Sequence, residues 1–576
     1  MALINGSLQI GRTALTASQA ALTVTGNNLA NAATPGYSRQ MPKLAPTQYV
    51  QVAPGVYTGS GVALYDVQRM YSESLNGRIR DSVGDAASYL AQQQAMERVE
   101  ASFNELTEQD LSTRLNNYFG AWSALQTQPD DMASRNVVLQ TSSSLSAFVR
   151  ELRTELYDIQ TDLDTQLQTE IAEANQLASE IADLNEQITV TEAGNTGAAP
   201  SLRDRRDEVL QELSELVNIT AREVEGGSVN VFIGNEPLIQ YAESRGLEYR
   251  EKLNDDNVMI TDVIFSDKTD VCDINSGKIN GLIEARDNMV GSTISDLDQW
   301  ASALIFETNK LHSLGTSMNH SNSVEATYAV DDMDASLADM DATGLNWEAD
   351  NGVFYVNLYD SDGNETGTAQ QVKIDIGMGG ADTSLNSLAA QINGLSGVDA
   401  SIDPTGRLKI SASASDQTIG FSSPSDADGG ANILAALGIN SFFDGSNASE
   451  FQVSSVVKGN PDLIAADSRN SMGNGTVAGA IADLADNGVV SLKGVSLVDQ
   501  LNTMITEVAT KTRQVQDTYS AADTVSQTLE IQRQSIAGVS IDDEAMNMII
   551  YQRAFQGASR YINLIDQMLD EVMNLI

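Results

Sequence analysis

The sequence predicts a mainly α protein with an inserted α+β domain, and three observations carry that reading. Apolar residues recur every seven positions at both ends of the chain and along much of its middle. Strand-like alternation is confined to short stretches. Composition shifts at about residue 320, where Asp, Gly, Ser, Asn and Thr take over, and shifts back at about residue 455. The expected domains are an inner layer of paired terminal coiled-coil helices (1–70 with 540–576), a central helical domain (71–320 with 456–539) and an acidic outer insert (321–455). The central domain is read as a long coiled coil or helix bundle with a small β element, and the insert as a variable domain that projects outward.

Charge separates the ends from the middle. The 576-residue chain carries 79 acidic residues and a net charge of −46, yet its first acid is Asp66. Before it stand only Arg12, Arg39 and Lys43 as charged side chains. An N-terminal end so poor in charge suits burial in an assembly, as does the heptad row at the C-terminal end, whereas the acidic middle suits solvent. The net charge repels nucleic acid and anionic membrane surfaces alike. One cysteine, Cys272, leaves no partner for an intrachain disulfide. No apolar run approaches the ~20 residues of a membrane span. The N-terminus lacks a basic start followed by an apolar core, so no cleaved secretory signal is expected.

The elements follow in order. Leu8, Leu15, Leu22 and Leu29 form one heptad row, with Gly11, Ser18, Thr25 and Ala32 three residues later. Small residues in a seam let a partner helix approach closely. Pro35-Gly36 ends this helix, and Pro42, Pro46 and Pro54 mark extended segments and turns to about residue 70. Residues 71–128 read as helical, with Tyr71, Leu75, Ile79, Val83 and Leu90 on one face, up to the break at Pro129-Asp130-Asp131. A long helix over about 132–191 follows; it would span ~90 Å at 1.5 Å per residue. Its stripe steps by eleven from Leu163 to Ala174, a stutter. Residues 202–217 are its candidate partner after the loop 193–200. Alternation at Val229, Val231 and Ile233, with a turn at Asn235-Glu236-Pro237, predicts a small β element within 224–265. A heptad helix is expected over 287–313.

Within the insert, 353–359 reads as a strand, Leu385, Leu388 and Ile392 as a short helix, and Ile402, Leu408 and Ile410 as further strands. Helical pattern returns at 476–485 and 495–535. The final helix carries Ile541, Met548, Phe555, Ile562, Leu569 and Ile576 in one row, with Tyr551, Ala558, Ile565 and Val572 three residues on. A helix with such a stripe must pack against something. The first helix is the expected partner, and the open question is whether the pair packs further against neighbouring subunits.

The segment Ala14–Gln40, and GNNLANAATPGYSRQ (Gly26–Gln40) above all, resembles the N-terminal signature of bacterial flagellar axial proteins. Its Ser38-Arg39-Gln40 ending, and Gly538–Ile576 with Tyr551-Gln552, Ala554-Phe555 and Arg560, are most similar to the hook-associated protein 1 family at the hook–filament junction. Pro129 followed by Arg135, the helical pair Ile181–Ile188 and Arg206–Ile219, and Asn309–Gly315 with its Asn-x-x-His-x-x-Gly pattern resemble that family's middle. The likeness covers about 1–320 and 455–576.

The resemblance implies a structural, non-enzymatic subunit. It implies a ring-like assembly of copies of itself, contacts with the hook protein and a second junction protein, and an export chaperone on the C-terminal helix. The expected location is extracellular, in the flagellum, reached without a cleaved signal. The residues expected at the assembly interface are Leu8, Leu15, Leu22, Leu29, Met548, Phe555, Ile562 and Leu569. Those of the N-terminal motif are Gly26, Asn27, Asn28, Asn31, Pro35, Gly36, Tyr37 and Arg39, with the motif shaping the turn that sets the first helix's angle. A hook or distal rod subunit is the alternative within this class. An axial scaffold whose insert is an adhesin or enzyme is the alternative from another class.

Catalytic and metal motifs are not apparent. His312 and His320 are the only histidines, and neither sits in a zinc-binding spacing. Asp360, Asp362 and Asn364 imitate the start of a calcium loop, but Glu365 and Gln371 stand where Gly and Glu belong, so a turn is expected. Asp331, Asp332, Asp334, Asp339 and Asp341 read as a solvated face. No cofactor, metal, nucleic acid or membrane is expected.

Overall fold

The computed structural model describes residues 2–103, 110–193, 197–253, 258–377, 382–424, 430–469 and 473–574. Ile576 of the terminal heptad row, and parts of the stretches 71–128 and 193–200, lie outside the described residues. The fold is mainly α with several small sheets.

In chain order, α1 (Ala2–Ala30) leads into a two-tier hairpin of β1 (Gln40–Pro46), β2 (Tyr49–Ala53), β3 (Val56–Gly59) and β4 (Val62–Arg69). Then come α2 (Glu73–Phe103), α3 (Leu111–Thr127), α4 (Met132–Thr191) and α5 (Pro200–Leu216). Strands β5 (Thr220–Glu223), β6 (Val229–Ile233), β7 (Glu236–Gln240), β8 (Glu243–Ser244), β9 (Leu247–Leu253) and β10 (Met259–Phe265) follow. Next are α6 (Lys278–Glu284), a π-helical turn (Ala285–Val290) and α7 (Gly291–His312), so the helix expected over 287–313 starts earlier and carries a local widening.

The insert contains β11 (Ser323–Glu325), α8 (Met340–Thr343), β12 (Gly352–Tyr359), β13 (Gln370–Ile374), α9 (Leu385–Asn393), β14 (Val398–Ile402), β15 (Leu408–Ala412), β16 (Thr418–Ser422), α10 (Ile433–Leu437), β17 (Phe443–Asp444) and β18 (Gln452–Val453). The chain ends with α11 (Ser455–Gly459), α12 (Thr476–Asp483), α13 (Leu497–Ala537) and α14 (Ile541–Asn574).

Two compact units result. The first gathers residues 1–94, 162–286 and 514–576, and the second 95–161 and 287–513. In the first unit α5 runs antiparallel to the C-terminal part of α4, because Arg203 pairs with Glu192, Arg206 Nη1 donates to Asn185 Oδ1, and Arg205 pairs with Glu180. Polar residues of α4 hold the sheets. Asp164 accepts from Thr261 N, Asn175 bonds both backbone groups of Leu247, and Asn185 does the same for Val229. Such side chains replace backbone partners at sheet edges, where an unpaired buried group is costly. Strands β5 to β8 form a four-stranded meander and β9–β10 a hairpin.

In the second unit an aromatic cluster fastens the end of the insert to the helices. Trp122 meets Phe442 edge-on at 5.0 Å, and Phe443 lies between Tyr118 (5.8 Å) and Phe451 (4.7 Å). Asn309 Nδ2 donates to Phe443 O, while its Oδ1 accepts from the N–H groups of Phe442 and Phe443. His312 bonds Asn440 O through Nδ1 and accepts from Ala465 N at Nε2. Hence the Asn309/His312 pair seals loops onto α7. Arg135, wholly buried, donates to Pro129 O and Ile464 O and so ties the helix break to the returning chain. Two three-stranded antiparallel sheets, β13-β12-β16 and β11-β15-β14, make up the insert. Asp360 Oδ1 accepts from the N–H groups of Asp362 and Asn364, which closes a tight turn after β12.

Burial lowers the His312 pKa from 6.5 to about 4. A base whose folded pKa is depressed stabilises the fold fully above its unfolded value and loses that contribution as pH falls through it. Urea titrations should therefore show a loss of roughly 2 kcal/mol between pH 7.5 and pH 5 from this residue. His320, also held near pKa 4 by burial, adds in the same direction. A His312→Gln chain, weaker at pH 7.5, should show a visibly shallower pH slope; an unchanged slope would remove His312 from the account.

Candidate assembly interface at the chain termini

The two ends of the chain meet in the first unit. Helices α1 and α14 pack antiparallel, since Gly11 faces Ile562 while Asn28 bonds Glu544. A Cβ at Gly11 would stand 2.7 Å from Ile562 Cγ1, so glycine is what permits this approach. The buried face of α1 is Gly11, Ala17, Ser18, Ala21, Val24, Thr25 and Asn28, the small-residue row and its neighbours. Ser18 Oγ donates to Ala14 O, so its hydroxyl enters the seam already satisfied. Leu8, Leu15, Leu22 and Leu29 flank this face half-buried, as do Met548, Phe555, Ile562 and Leu569 on α14. The lower tier of the hairpin lies along α1, with Gly61 (φ +113°) against Ile10 and Thr13.

A node of hydrogen bonds closes the pair. Asn28, 1% exposed, makes four bonds. Its Nδ2 donates to Gln40 O (2.8 Å) and Glu544 Oε2 (3.1 Å), and its Oδ1 accepts from Gln40 N (3.0 Å) and Tyr37 Oη (2.8 Å). Every valence of the amide is used. Arg39 Nε donates to Glu544 Oε1 at 2.8 Å, and its backbone N–H reaches Ala537 O. Asn31 folds back onto Asn27, and Gly36 takes φ +73° beside Glu208, a turn that a side chain resists. Gly26 sits on α1 with open space at its Cβ, and Pro35 lies in the turn. Tyr37 is pushed up to about 12 by burial and by Asp204 and Glu544. Burial, outweighing the Arg69 charge 3.1 Å away, raises Asp204 to about 6. Protonated Asp204 is thus favoured by the fold, and its penalty fades as pH falls from about 6 towards 3.8.

The structure links Asn27, Asn28, Asn31, Tyr37 and Arg39 through one node, with Pro35 and Gly36 in the turn that leads to it, while the eight seam residues lie along the helix pair. Sequence reasoning missed Glu544 and Asp204. Arg39 is one of three cations before residue 66, which was a signal that an acid partner should be sought. It also missed a second apolar row. Met546, Ile550, Leu564 and Met568 stay exposed along one flank of α14, with Tyr561 beside them at the edge of the α1 contact. The row expected at the assembly interface, Met548 to Leu569, is turned partly toward α1 and half-buried.

The comparisons with known proteins bear on this arrangement. Residues 8–37 match a model described as flagella basal body rod protein, 96–325 the flagellar hook-associated protein FlgK helical domain, and 532–575 the flagellar basal body rod FlgEFG protein C-terminal. Flagellar hook-associated protein 1 of Salmonella typhimurium is 24% identical over 97% of this chain and 98% of its own length. That of Bacillus subtilis is 24% identical over 98% and 97%, and that of Escherichia coli 23% over 100% and 99%. Over nearly its full length the chain is similar to flagellar hook-associated protein 1. A solved structure of the flagellar hook junction protein FlgK from Burkholderia pseudomallei covers 80% of this chain and 100% of its own, at 14% identity and a TM-score of 0.48. The rod-type matches fall on α1 and α14, the two helices that meet at the node.

Replacing Asn28 by Ala leaves Glu544 and the Gln40 backbone groups buried with fewer partners. The expected cost is roughly 2–3 kcal/mol. Hydrogen exchange should show it as faster exchange of the α1 and α14 amides, with the second unit unaffected. Equal exchange in the two chains would mean that the node does not hold the helices.

Proposed function

We propose that this chain is a structural subunit of the flagellar axis, placed between hook and filament, where it provides the surface on which the filament starts. The observation that carries the reading is the paired termini: a charge-poor first helix and a heptad-patterned last helix locked together by a buried node, with an apolar row left open on α14. Such a row is unfavourable in water and suits coverage by a neighbour. The near full-length correspondence with hook-associated protein 1 relatives supports the same placement.

In this reading α1 and α14 form a coiled-coil layer toward the axis, copies of the chain close into a ring, and the acidic insert faces outward. The hook protein lies on one side and a second junction protein on the other. The half-buried seam residues and the open row contribute to contacts between subunits. Before assembly an export chaperone covers the C-terminal helix, and the chain leaves the cell for the flagellum without a cleaved signal. The role is structural, with no turnover.

A deletion strain tests the placement. Electron microscopy should show hooks without filaments, with flagellin lost to the medium. Absent hooks would move the subunit down the axis, and normal filaments would refute the role. Leu564→Asp places a charge in the open row without touching the α1 contact. The isolated protein should melt within a few degrees of wild type, whereas complemented cells should lack filaments, because burying that charge costs several kcal/mol. Normal filaments in this strain would show that the row is not an interface.

A further inference from the structure

Away from the termini, a cavity of about 280 Å³ opens in the second unit beside β11 and β15. His320, Ser317, Ser321, Asn440, Ser441 and Ser454 contribute its polar lining. Two of these groups have unmet needs: His320 Nε2 and Ser441 Oγ are buried and have no hydrogen-bond partner among the described residues. Ser441 is only 7% exposed. A buried polar atom left unpaired is costly, so an occupant that bonds both is favoured. The His320 ring is held in place. It stacks on Tyr359 at 3.9 Å with a 12° interplanar angle, and a Cβ at Gly420 would fall 2.9 Å from its Cδ2 and 2.8 Å from Tyr359 Cε2. Gly420 is therefore the residue that leaves room for the stacked pair.

The lining also limits the occupant's chemistry. Its only charged side chains are Glu325 and Lys409, which face each other in register across β11 and β15 and offset each other. The imidazole is neutral at ordinary pH because burial holds its pKa near 4. A cation would find no cluster of acids, and an anion would meet the field of a chain carrying −46. An aliphatic molecule would leave His320 Nε2 and Ser441 Oγ unpaired. Hydroxyl and amide groups both donate and accept, which matches a ligand whose own hydroxyls do the same. Val456, Val457 and Leu463 supply apolar surface for C–H faces. The volume is at the small end of ligand sites.

We propose that this cavity binds an uncharged, hydroxyl-rich molecule of monosaccharide size, held by His320 and Ser441 at its floor. The site is independent of the axial role. Its ligand could arrive as a free sugar or as the terminal unit of a glycan, two sources with the same chemistry.

The full-length protein should be screened with glucose, galactose, mannose and N-acetylglucosamine by saturation-transfer NMR and thermal shift. At least one should bind saturably, with a dissociation constant on the order of 1–10 mM, as suits a small ligand making few bonds. His320→Phe keeps the ring on Tyr359 but removes its nitrogens, and Ser441→Ala removes the hydroxyl. Each should weaken binding roughly tenfold, the scale of one lost hydrogen bond. The melting temperature without ligand should stay close to wild type for at least one of the two. The methyl glycoside of the best sugar separates the sources: equal binding fits a glycan terminus, and loss of binding fits a free sugar. No saturable binding up to ~100 mM, or equal affinity in wild type and both variants, overturns the proposal.

Discussion

Asn28 holds the first unit to its own ends. Its side-chain amide bonds the turn after α1, the tyrosine of that turn and the first turn of the last helix, 516 residues away in sequence. With Arg39 on the same carboxylate, the node fixes where α1 stops and where α14 begins. The helix seam alone would set this poorly, because small residues pack closely but tolerate sliding. A buried amide with all its valences used tolerates none, since any shift leaves donors unpaired.

The seam and the node divide the work between them. Gly11, Ser18 and Thr25 bring the helices together, and Asn28, Arg39 and Glu544 set their register. The same economy operates in the second unit, where aromatic packing supplies area and Asn309 and His312 fix the positions of the loops. In both places one polar residue in an apolar setting specifies an arrangement that burial alone would leave loose.

Much of the helical framework was legible in the sequence. The span of α4 follows from Pro129-Asp130-Asp131 at one end and the loop at 193–200 at the other, and Asp131 caps it by accepting from Ser134 N. Strand β12 and helix α9 follow from their alternation and periodicity. The π-helical turn before α7 left no mark in the pattern, because the heptad row of this helix begins at Val290, where that turn ends. On α14 two apolar rows were present, at Met548/Phe555/Ile562 and at Ile550/Leu564, and only the position of α1 decides which one is covered. The Asn28–Glu544 bond was out of reach for a related reason: acids are so common in this chain that no single one stands out until the fold brings it to Arg39. The unpartnered atoms of His320 and Ser441 belong to loops more than a hundred residues apart, and no local pattern joins them.

Both units are discontinuous in sequence. The first takes in residues 1–94, 162–286 and 514–576, and the second 95–161 and 287–513. Contacts of such long sequence separation form late and slowly. If the chain emerges N-terminus first, α1 lacks its helical partner until the 34 residues of α14 are out. Over that interval a charge-poor helix and a bare hairpin stand without their cover, the condition under which strands and apolar helices find wrong partners. The paucity of charge that lets α1 pack therefore makes the interval before α14 arrives the most hazardous in the life of the molecule, and the strongly acidic middle keeps separate copies apart while it lasts.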